Sequence, residues 1–182
     1  MELSVCEHKK GLIDETVFQE LTKYIDTLPW YWGFKSTNNM FLESHPHWSI
    51  NFDGIDKPQT EFKDIESLLP DIIKEIYQKV KKPDTMLIRC YANGITHGLA
   101  QRVHRDDSVG GAKTHIVCLN DTWKIDWGGE TIIVKDRSIT GSFLPTPMSI
   151  LTIDGTELHG VRPISPICYE LRKTLMFKTR PL

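Results

Sequence analysis

Two histidines and one aspartate in the second half of the chain have the spacing of a catalytic metal site. His104 and Asp106 lie two residues apart in QRVHRDD, so in an extended strand both side chains point to the same side. His159 follows in a separate segment, TELHGVRPI. Two histidines and one carboxylate leave neighbouring coordination positions of iron(II) open for O₂ chemistry, whereas a structural zinc site closes them. We therefore predict that His104, Asp106 and His159 are metal ligands and catalytic residues.

The last β-like segment, RKTLMFK (172–178), begins with an arginine that could bind a carboxylate. In a strand, Arg172 shares one face with Thr174 and Met176. A planar guanidinium pairs with a carboxylate through two parallel hydrogen bonds, which lysine does less specifically. A dicarboxylate such as 2-oxoglutarate could chelate iron through its keto-acid end and place its far carboxylate on Arg172. Thr174, and Tyr91 from a neighbouring strand, are further candidates for binding this carboxylate.

Two other groups of residues have weaker claims to a function. His45 and His47 flank a proline in a loop-like sequence, which is more typical of a polar surface than of a metal site. The aromatic segment 30–52 is more typical of a core. It could also form one wall of a substrate groove, and we then expect Trp32 or Trp48 to face the substrate.

The elements that position these residues are predicted to be mainly strands. Helical stripes cover 15–28 and 66–80, and short runs rich in Ile, Val and Thr cover 86–91, 114–120, 130–135, 149–154 and 172–178. Closely spaced runs of this kind favour an antiparallel sandwich or jelly roll over βαβ units. We predict a mainly β (α+β) single domain over 1–182. Its helical, aromatic-rich N-terminal part (1–85) packs outside a β core (86–182) that carries the catalytic residues.

Composition excludes several classes of protein. The 182 residues include 25% charged side chains but carry a net charge of only −2, which gives no reason to expect nucleic acid or a membrane surface as a partner. The four cysteines are far apart, so neither a zinc knuckle nor a disulfide framework is indicated. No run has the length of a signal peptide or a membrane span. We expect a cytoplasmic protein whose partner is a peptide, protein or small-molecule substrate.

Several segments together resemble a known family. They are LIRCYANG (87–94), VHRDD (103–107), WGGET (127–131), LHGVRPIS (158–165) and LRKTLMFK (171–178). In this order they resemble the 2-oxoglutarate- and iron(II)-dependent dioxygenases, in particular the prolyl 4-hydroxylase-like branch. The resemblance implies a cupin-like double-stranded β-helix, with His104, Asp106 and His159 as iron ligands and Arg172 as the 2-oxoglutarate anchor. It implies Fe(II), 2-oxoglutarate and O₂ as cofactors or co-substrates, and allows ascorbate (vitamin C) as a further one.

The resemblance leaves the primary substrate open. A peptidyl proline is the leading candidate, and a free amino acid or small metabolite is the first alternative. Nucleic-acid demethylation is a second alternative, because that branch also has a basic residue six positions after its arginine, as Lys178 is here. A non-catalytic metal-binding module is a third. Oxygen-sensing relatives have a tyrosine on the strand that here contains Cys118, and a thiol cannot supply the hydrogen bond of that phenol.

Overall fold

The computed structural model describes residues 6–34, 45–52 and 64–182. Its strands are β1 (Cys6–Lys10), β2 (Tyr31–Phe34), β3 (His47–Asn51), β4 (Thr85–Ile95), β5 (Gln101–His104), β6 (Lys113–Cys118), β7 (Thr131–Lys135), β8 (Ser138–Phe143), β9 (Ser149–Asp154), β10 (Leu158–Val161) and β11 (Arg172–Pro181). Its helices are α1 (Glu15–Thr27), α2 (Ile65–Leu68) and α3 (Asp71–Gln78), and a short 3₁₀ helix covers Ile125–Trp127.

The described strands form two antiparallel sheets. The large sheet has seven strands in the order β1-β9-β6-β11-β4-β3-β2, and the small sheet has four in the order β5-β10-β7-β8. Ile133 of the small sheet packs with Tyr91, Ile116 and Met176 of the large one, which places the two sheets face to face. This arrangement is the predicted jelly roll. Strands β1 to β3, which come from the N-terminal part, extend the large sheet at both edges.

The outer face of the large sheet holds the main hydrophobic core. Side chains that alternate outward on the strands pack against the apolar faces of α1 and α3, as the sequence predicted. The buried members from α1 include Phe18, Leu21 and Ile25, and those from α3 are Ile73, Ile76 and Tyr77. The rings of Tyr77 and Phe177 lie 5.4 Å apart across this interface. None of the described helices has the length and apolar character that crossing a membrane needs.

The inner face of the large sheet is organised in rows across the strands, because opposed residues of paired strands share a face. We call three of them the polar, apolar and charged rows. The polar row contains Ser49, Asn93, Thr174 and Cys118. The apolar row contains Tyr91, Met176, Ile116 and Leu151. The charged row contains Arg89, Lys178 and Thr114.

The second predicted helix, over 66–80, is wrong in its extent. Helix α2 ends at Leu68 and α3 begins at Asp71. Leu69 between them is extended, with φ −69° and ψ 143°. Leu69 precedes Pro70, and the proline ring disfavours a helical conformation of the residue before it.

The sequence patterns do not predict the strands β1, β2, β3, β5, β8 and β10. Several of these strands have only four or five residues, which is too short for a clear alternation of apolar and polar side chains. Their conformation is fixed by pairing with longer neighbours: β10, for example, lies between β5 and β7. The five predicted strands are all present, and β9 has the predicted bounds.

His115 allows a test of how burial affects stability. Its ring is buried, and Nδ1 lies 2.9 Å from Thr152 Oγ1. Burial, helped by the charges of Lys82 and Lys113, lowers the pKa of His115 from 6.5 to about 4. Below pH 6.5 the unfolded chain therefore binds a proton that the folded chain does not. The free energy of unfolding should fall by up to about 3 kcal/mol as the pH drops through this range.

The glutamine variant His115→Gln keeps a hydrogen-bonding side chain that does not titrate. We expect this variant to flatten the pH dependence of the free energy of unfolding between the unfolded-state pKa of 6.5 and the folded-state pKa of about 4. Urea unfolding at a series of pH values measures this dependence. An unchanged slope in His115→Gln would contradict this assignment.

Candidate active site

The three predicted metal ligands converge between the two sheets. His104 is the last residue of β5 and lies opposite His159 of β10. Asp106 lies in the turn after β5 and not in the same extended strand as His104, so that part of the prediction is wrong. Its N–H donates to the carbonyl of Gly155 at 3.0 Å, which holds the turn in place. The Nε2 atoms of His104 and His159 each lie 3.3 Å from a carboxylate oxygen of Asp106. The ligand atoms of the three residues all lie within 4.8 Å of one another.

Backbone contacts orient both imidazole rings for metal binding. Nδ1 of His104 lies 2.7 Å from the carbonyl oxygen of Arg102, and Nδ1 of His159 lies 3.0 Å from that of Glu157. A carbonyl can only accept, so each Nδ1 carries a proton. Each Nε2 faces Asp106, to which it can donate while the ring is also protonated there, and it offers its lone pair to a metal once that proton is lost. The donor set and its orientation therefore fit a metal ion.

Asp106 is buried but kept ionised by its surroundings. Thr114 Oγ1 donates to Oδ2 at 2.6 Å, and Lys178 Nζ donates to Oδ1 at 2.8 Å. Burial by itself would raise the pKa of Asp106. The hydrogen bonds with His104 and His159, followed by the charge of Lys178, instead hold this pKa well below its usual range. Asp106 is therefore a carboxylate at neutral pH, the form that binds metals.

Thr114 and Lys178 are support residues that the sequence reasoning missed. For Lys178 a signal exists, because it continues the period of two through Arg172, Thr174 and Met176 and so shares their inward face. Thr114 gives no comparable signal in the sequence, since its contact with Asp106 depends on how β6 is placed beside the turn after β5.

Arg172 is a buried cation that forms no ion pair among the described residues, although the charge of Glu130 acts on its pKa. Its side chain is fixed by Nε donating to the Gly129 carbonyl at 2.8 Å and by Nη2 donating to Thr131 Oγ1 at 3.0 Å. The residue is only 3% exposed, and burial lowers the pKa of its guanidinium. Gly129 has φ +72°, a conformation that favours glycine, and a Cβ there would lie only 3.3 Å from Arg172 Cδ. Glycine at this position therefore leaves room for the Arg172 side chain. Leaving a buried charge unpaired is costly, so this site suits an anion.

The strand register gives the separation between this cation and the metal ligands. His159 lies opposite Ile133 of β7, and Arg172 contacts Thr131 of the same strand. Thr131 and Ile133 point to the same face and lie about 7 Å apart along the strand. A short dicarboxylate such as 2-oxoglutarate could span an offset of this size.

Thr174 and Tyr91 occupy different parts of the cleft. Thr174 is buried and follows Arg172 on the inner face. Tyr91 lies opposite Met176, with its ring centre 5.7 Å from Lys178 Nζ and 4.6 Å from the guanidinium carbon of Arg89. Tyr91 is therefore nearer to the metal end of the cleft than to Arg172.

The prediction that the His45–His47 segment is polar surface is wrong for His47, which is buried as the first residue of β3. Trp48 shares its face with Ile50, which belongs to the core beside the helices. Trp32 lies opposite Trp48, with ring centres 5.2 Å apart. Both tryptophans thus lie on the face opposite to the metal ligands, and the prediction that they face the substrate is wrong. The middle of the aromatic segment, 35–44, lies outside the described residues.

Thr114 allows a test of how Asp106 is held. The variant Thr114→Val leaves Oδ2 of Asp106 without this donor. Residues that orient a metal ligand typically contribute about 10- to 100-fold in metal affinity, so we expect Co(II) to bind Thr114→Val at least about tenfold more weakly. Thr114→Ser keeps the hydroxyl and should bind like the parent, whereas His104→Ala should not bind Co(II). Calorimetric titration of the metal-free proteins measures this, and parent-like affinity in Thr114→Val would refute the role.

No family model matches the sequence, and no curated protein matches it. Solved structures do match. A 2OG-Fe(II) oxygenase family oxidoreductase from Burkholderia pseudomallei has a TM-score of 0.66 and 12% identity, covering 96% of this chain and 84% of that one. The collagen prolyl hydroxylase vCPH of Paramecium Bursaria Chlorella virus-1, in a 2OG complex, has a TM-score of 0.63 and 13% identity. The match covers 98% of this chain and 97% of that one. HygX from Streptomyces hygroscopicus, with nickel, 2-oxoglutarate and hygromycin B bound, has a TM-score of 0.62 and 11% identity. The match covers 97% of this chain and 83% of that one. The chain therefore has the jelly-roll fold of the 2-oxoglutarate–iron(II) oxygenases, as its sequence segments predicted.

Proposed function

We propose that this chain is a 2-oxoglutarate- and iron(II)-dependent dioxygenase that hydroxylates its substrate. The observation that carries the proposal is the buried, unpaired guanidinium of Arg172, about 7 Å along β7 from the level of the metal ligands. A metal site alone would not need such a cation. A dicarboxylate that chelates the metal and reaches Arg172 gives both features one explanation.

His104, Asp106 and His159 would hold the iron and leave neighbouring positions open for co-substrate and O₂. Iron(II) with O₂ and 2-oxoglutarate supplies the oxidising chemistry when bound. The protein orients the two rings through the carbonyls of Arg102 and Glu157. It also keeps Asp106 ionised. The carboxylate at Asp106 supports hydroxylation, because halogenating members of this fold lack it to make room for halide.

Arg172 would bind the far carboxylate of 2-oxoglutarate. Two of its nitrogens are already engaged by Gly129 and Thr131, so the guanidinium is held in one orientation before the co-substrate arrives. Thr174 would add a hydroxyl at this end. Tyr91 would act at the other end, near the keto acid. The apolar row, to which Tyr91 itself belongs, would exclude water from the chain of the co-substrate.

Arg172 allows a direct test of the co-substrate site. Losing one partner of a buried charged pair costs about 2–5 kcal/mol. We therefore expect 2-oxoglutarate to bind Arg172→Ala about thirtyfold or more weakly in calorimetric titrations of the Co(II)-loaded protein. Arg172→Lys keeps the charge but loses the planar fork, so its affinity should lie between the two.

Co(II) affinity measured without 2-oxoglutarate is the control for Arg172, and it should be the same in parent and variants. Parent-like binding of 2-oxoglutarate by Arg172→Ala would show that the co-substrate lies elsewhere.

Two substrate classes have support from similar structures. A peptidyl proline is supported by the match to a collagen prolyl hydroxylase, and a small molecule by the match to HygX with hygromycin B bound. A nucleic acid has less support, because the net charge is −2 and Lys178 contacts Asp106 inside the cleft. The cytoplasmic location stays a prediction that rests on the four cysteines, all of which are free.

Succinate formation separates an enzyme from a metal-binding module of the same fold. We expect the parent to convert 2-oxoglutarate to succinate slowly without substrate, in a reaction that needs iron(II) and O₂. His159→Ala, which lacks a ligand, should form none. Adding ascorbate tests the prediction that it is a further cofactor and should prolong turnover. No succinate from iron-loaded parent protein, with peptides or small molecules present, would refute the proposed activity.

A further inference from the structure

Two side chains on the inner face of β3 and β4 have buried polar atoms without hydrogen-bond partners. His47 is 2% exposed and Asn93 is 5% exposed. Within the described part of the chain, no group has hydrogen-bonding geometry with Nδ1 or Nε2 of His47, or with Oδ1 of Asn93. The Asn93 side chain and the His45 backbone nevertheless lie near enough to His47 to act on its pKa. Buried polar atoms in native proteins nearly always have a partner, and those that lack one destabilise the fold. A bound group that both donates and accepts, either a ligand or a buried water, would complete these atoms on neighbouring strands.

The pair lies in the same cleft as the metal ligands. Asn93 is a member of the polar row, between Ser49 and Thr174. His47 shares the inward face of β3 with Ser49, and its ring packs edge-on against Phe34 at 5.2 Å. His104 is near enough to affect the pKa of His47 electrostatically.

His47 is nevertheless separate from the metal site itself. The cluster of potential ligand atoms in the described residues contains His104, Asp106 and His159 but not His47. The pair therefore lies beside the reaction centre, where a bound substrate would be.

The chemistry of the pair indicates which group it would bind. Burial lowers the pKa of His47, and the His45 backbone and the Asn93 side chain offset this only in part. The ring is then neutral at neutral pH and offers one donor and one acceptor. Oδ1 of Asn93 offers a second acceptor. A hydroxyl both donates and accepts, so it can satisfy this set, whereas a carboxylate has no proton to donate to Asn93.

We propose that His47 and Asn93 form a substrate subsite that holds a hydroxyl of a small hydroxylated molecule beside the metal. The inference rests on the proposed function and narrows its substrate. The ring of a prolyl residue fits the pair poorly, because it presents only C–H groups and its nitrogen has no hydrogen. Asn93 Oδ1 would stay unpartnered next to this ring unless a flanking N–H group of the peptide reached it.

The test measures binding rather than turnover. Co(II) in the metal site is paramagnetic and speeds the relaxation of protons bound close to it. The probes are glycerol, myo-inositol, glucose and sucrose, each added to the Co(II)- and 2-oxoglutarate-loaded protein, with acetyl-Ala-Pro-Gly-amide as the contrasting peptide. The same samples loaded with diamagnetic Zn(II) provide the baseline.

We expect at least one polyol, and not the peptide, to show Co(II)-dependent relaxation in the parent. His47→Phe keeps the ring packing but removes both nitrogens, and Asn93→Leu removes the amide. Each should weaken polyol binding about tenfold, the effect of one hydrogen bond in a buried site. His47→Gln retains a donor and an acceptor and should keep most of the affinity. Because His47→Phe removes unpartnered atoms, its Tm should equal or exceed that of the parent.

Other outcomes would overturn the subsite. They are relaxation of no polyol in the parent, polyol binding that both variants retain, relaxation of the peptide alone, or a clear loss of Tm in His47→Phe. The protons of 2-oxoglutarate serve as an internal reference in every sample. If they relax while no polyol does, the subsite fails and the proposed function stands. If they do not relax in the parent, the proposed function itself fails.

Discussion

The carboxylate of Asp106 is the interaction on which the rest of the site depends. It lies in the cleft between two sheets and is contacted by rings from β5 and β10, a hydroxyl from β6 and an ammonium from β11. Burying a carboxylate in this way is unfavourable unless its oxygens are all engaged. The adjacent Asp107 is held separately by Arg180, at 2.7 Å. The final strand thus supplies one cation to each of two neighbouring acids, which fixes the turn after β5 against the large sheet.

Strand β11 can serve both the core and the site because its side chains alternate. Leu175 and Phe177 point outward into the core beside the helices, whereas Arg172, Thr174 and Lys178 point into the cleft. The hydrophobic effect on the outer face therefore stabilises the same strand that carries charges on the inner one. A change of register by one residue would exchange the two faces and remove both the core contacts and the site.

The inner face leaves a small number of polar groups without partners, and they lie at defined places. Arg172 forms no ion pair with an acid among the described residues, and the ring nitrogens of His47 and Oδ1 of Asn93 have no hydrogen-bond partner there. Such groups reduce the stability of the folded chain, and a ligand that completes them recovers the loss on binding. The hydrophobic core on the outer face of the large sheet stabilises the fold. The cleft can therefore remain polar, with some of its polar groups lacking hydrogen-bond or ion-pair partners.

The sequence by itself indicated His104, Asp106 and His159 as candidate metal ligands, and it indicated the inward face of Arg172. The candidate ligands follow from side-chain chemistry and the face of Arg172 from the strand period of two, which are local properties. Tertiary structure placed Asp106, which lies in the turn after β5 and not in the strand. Tertiary structure decided which residues support Asp106, because Lys178 is 72 positions away from it and Thr114 reaches it from another strand. Tertiary structure also decided which face of the sheet each side chain of the aromatic segment occupies. A bulge at Gly33, where φ is +111°, turns Phe34 to the face of His47 while Trp32 stays with Trp48. An extra residue in one strand reverses the alternation, and that irregularity is a property of the paired sheet.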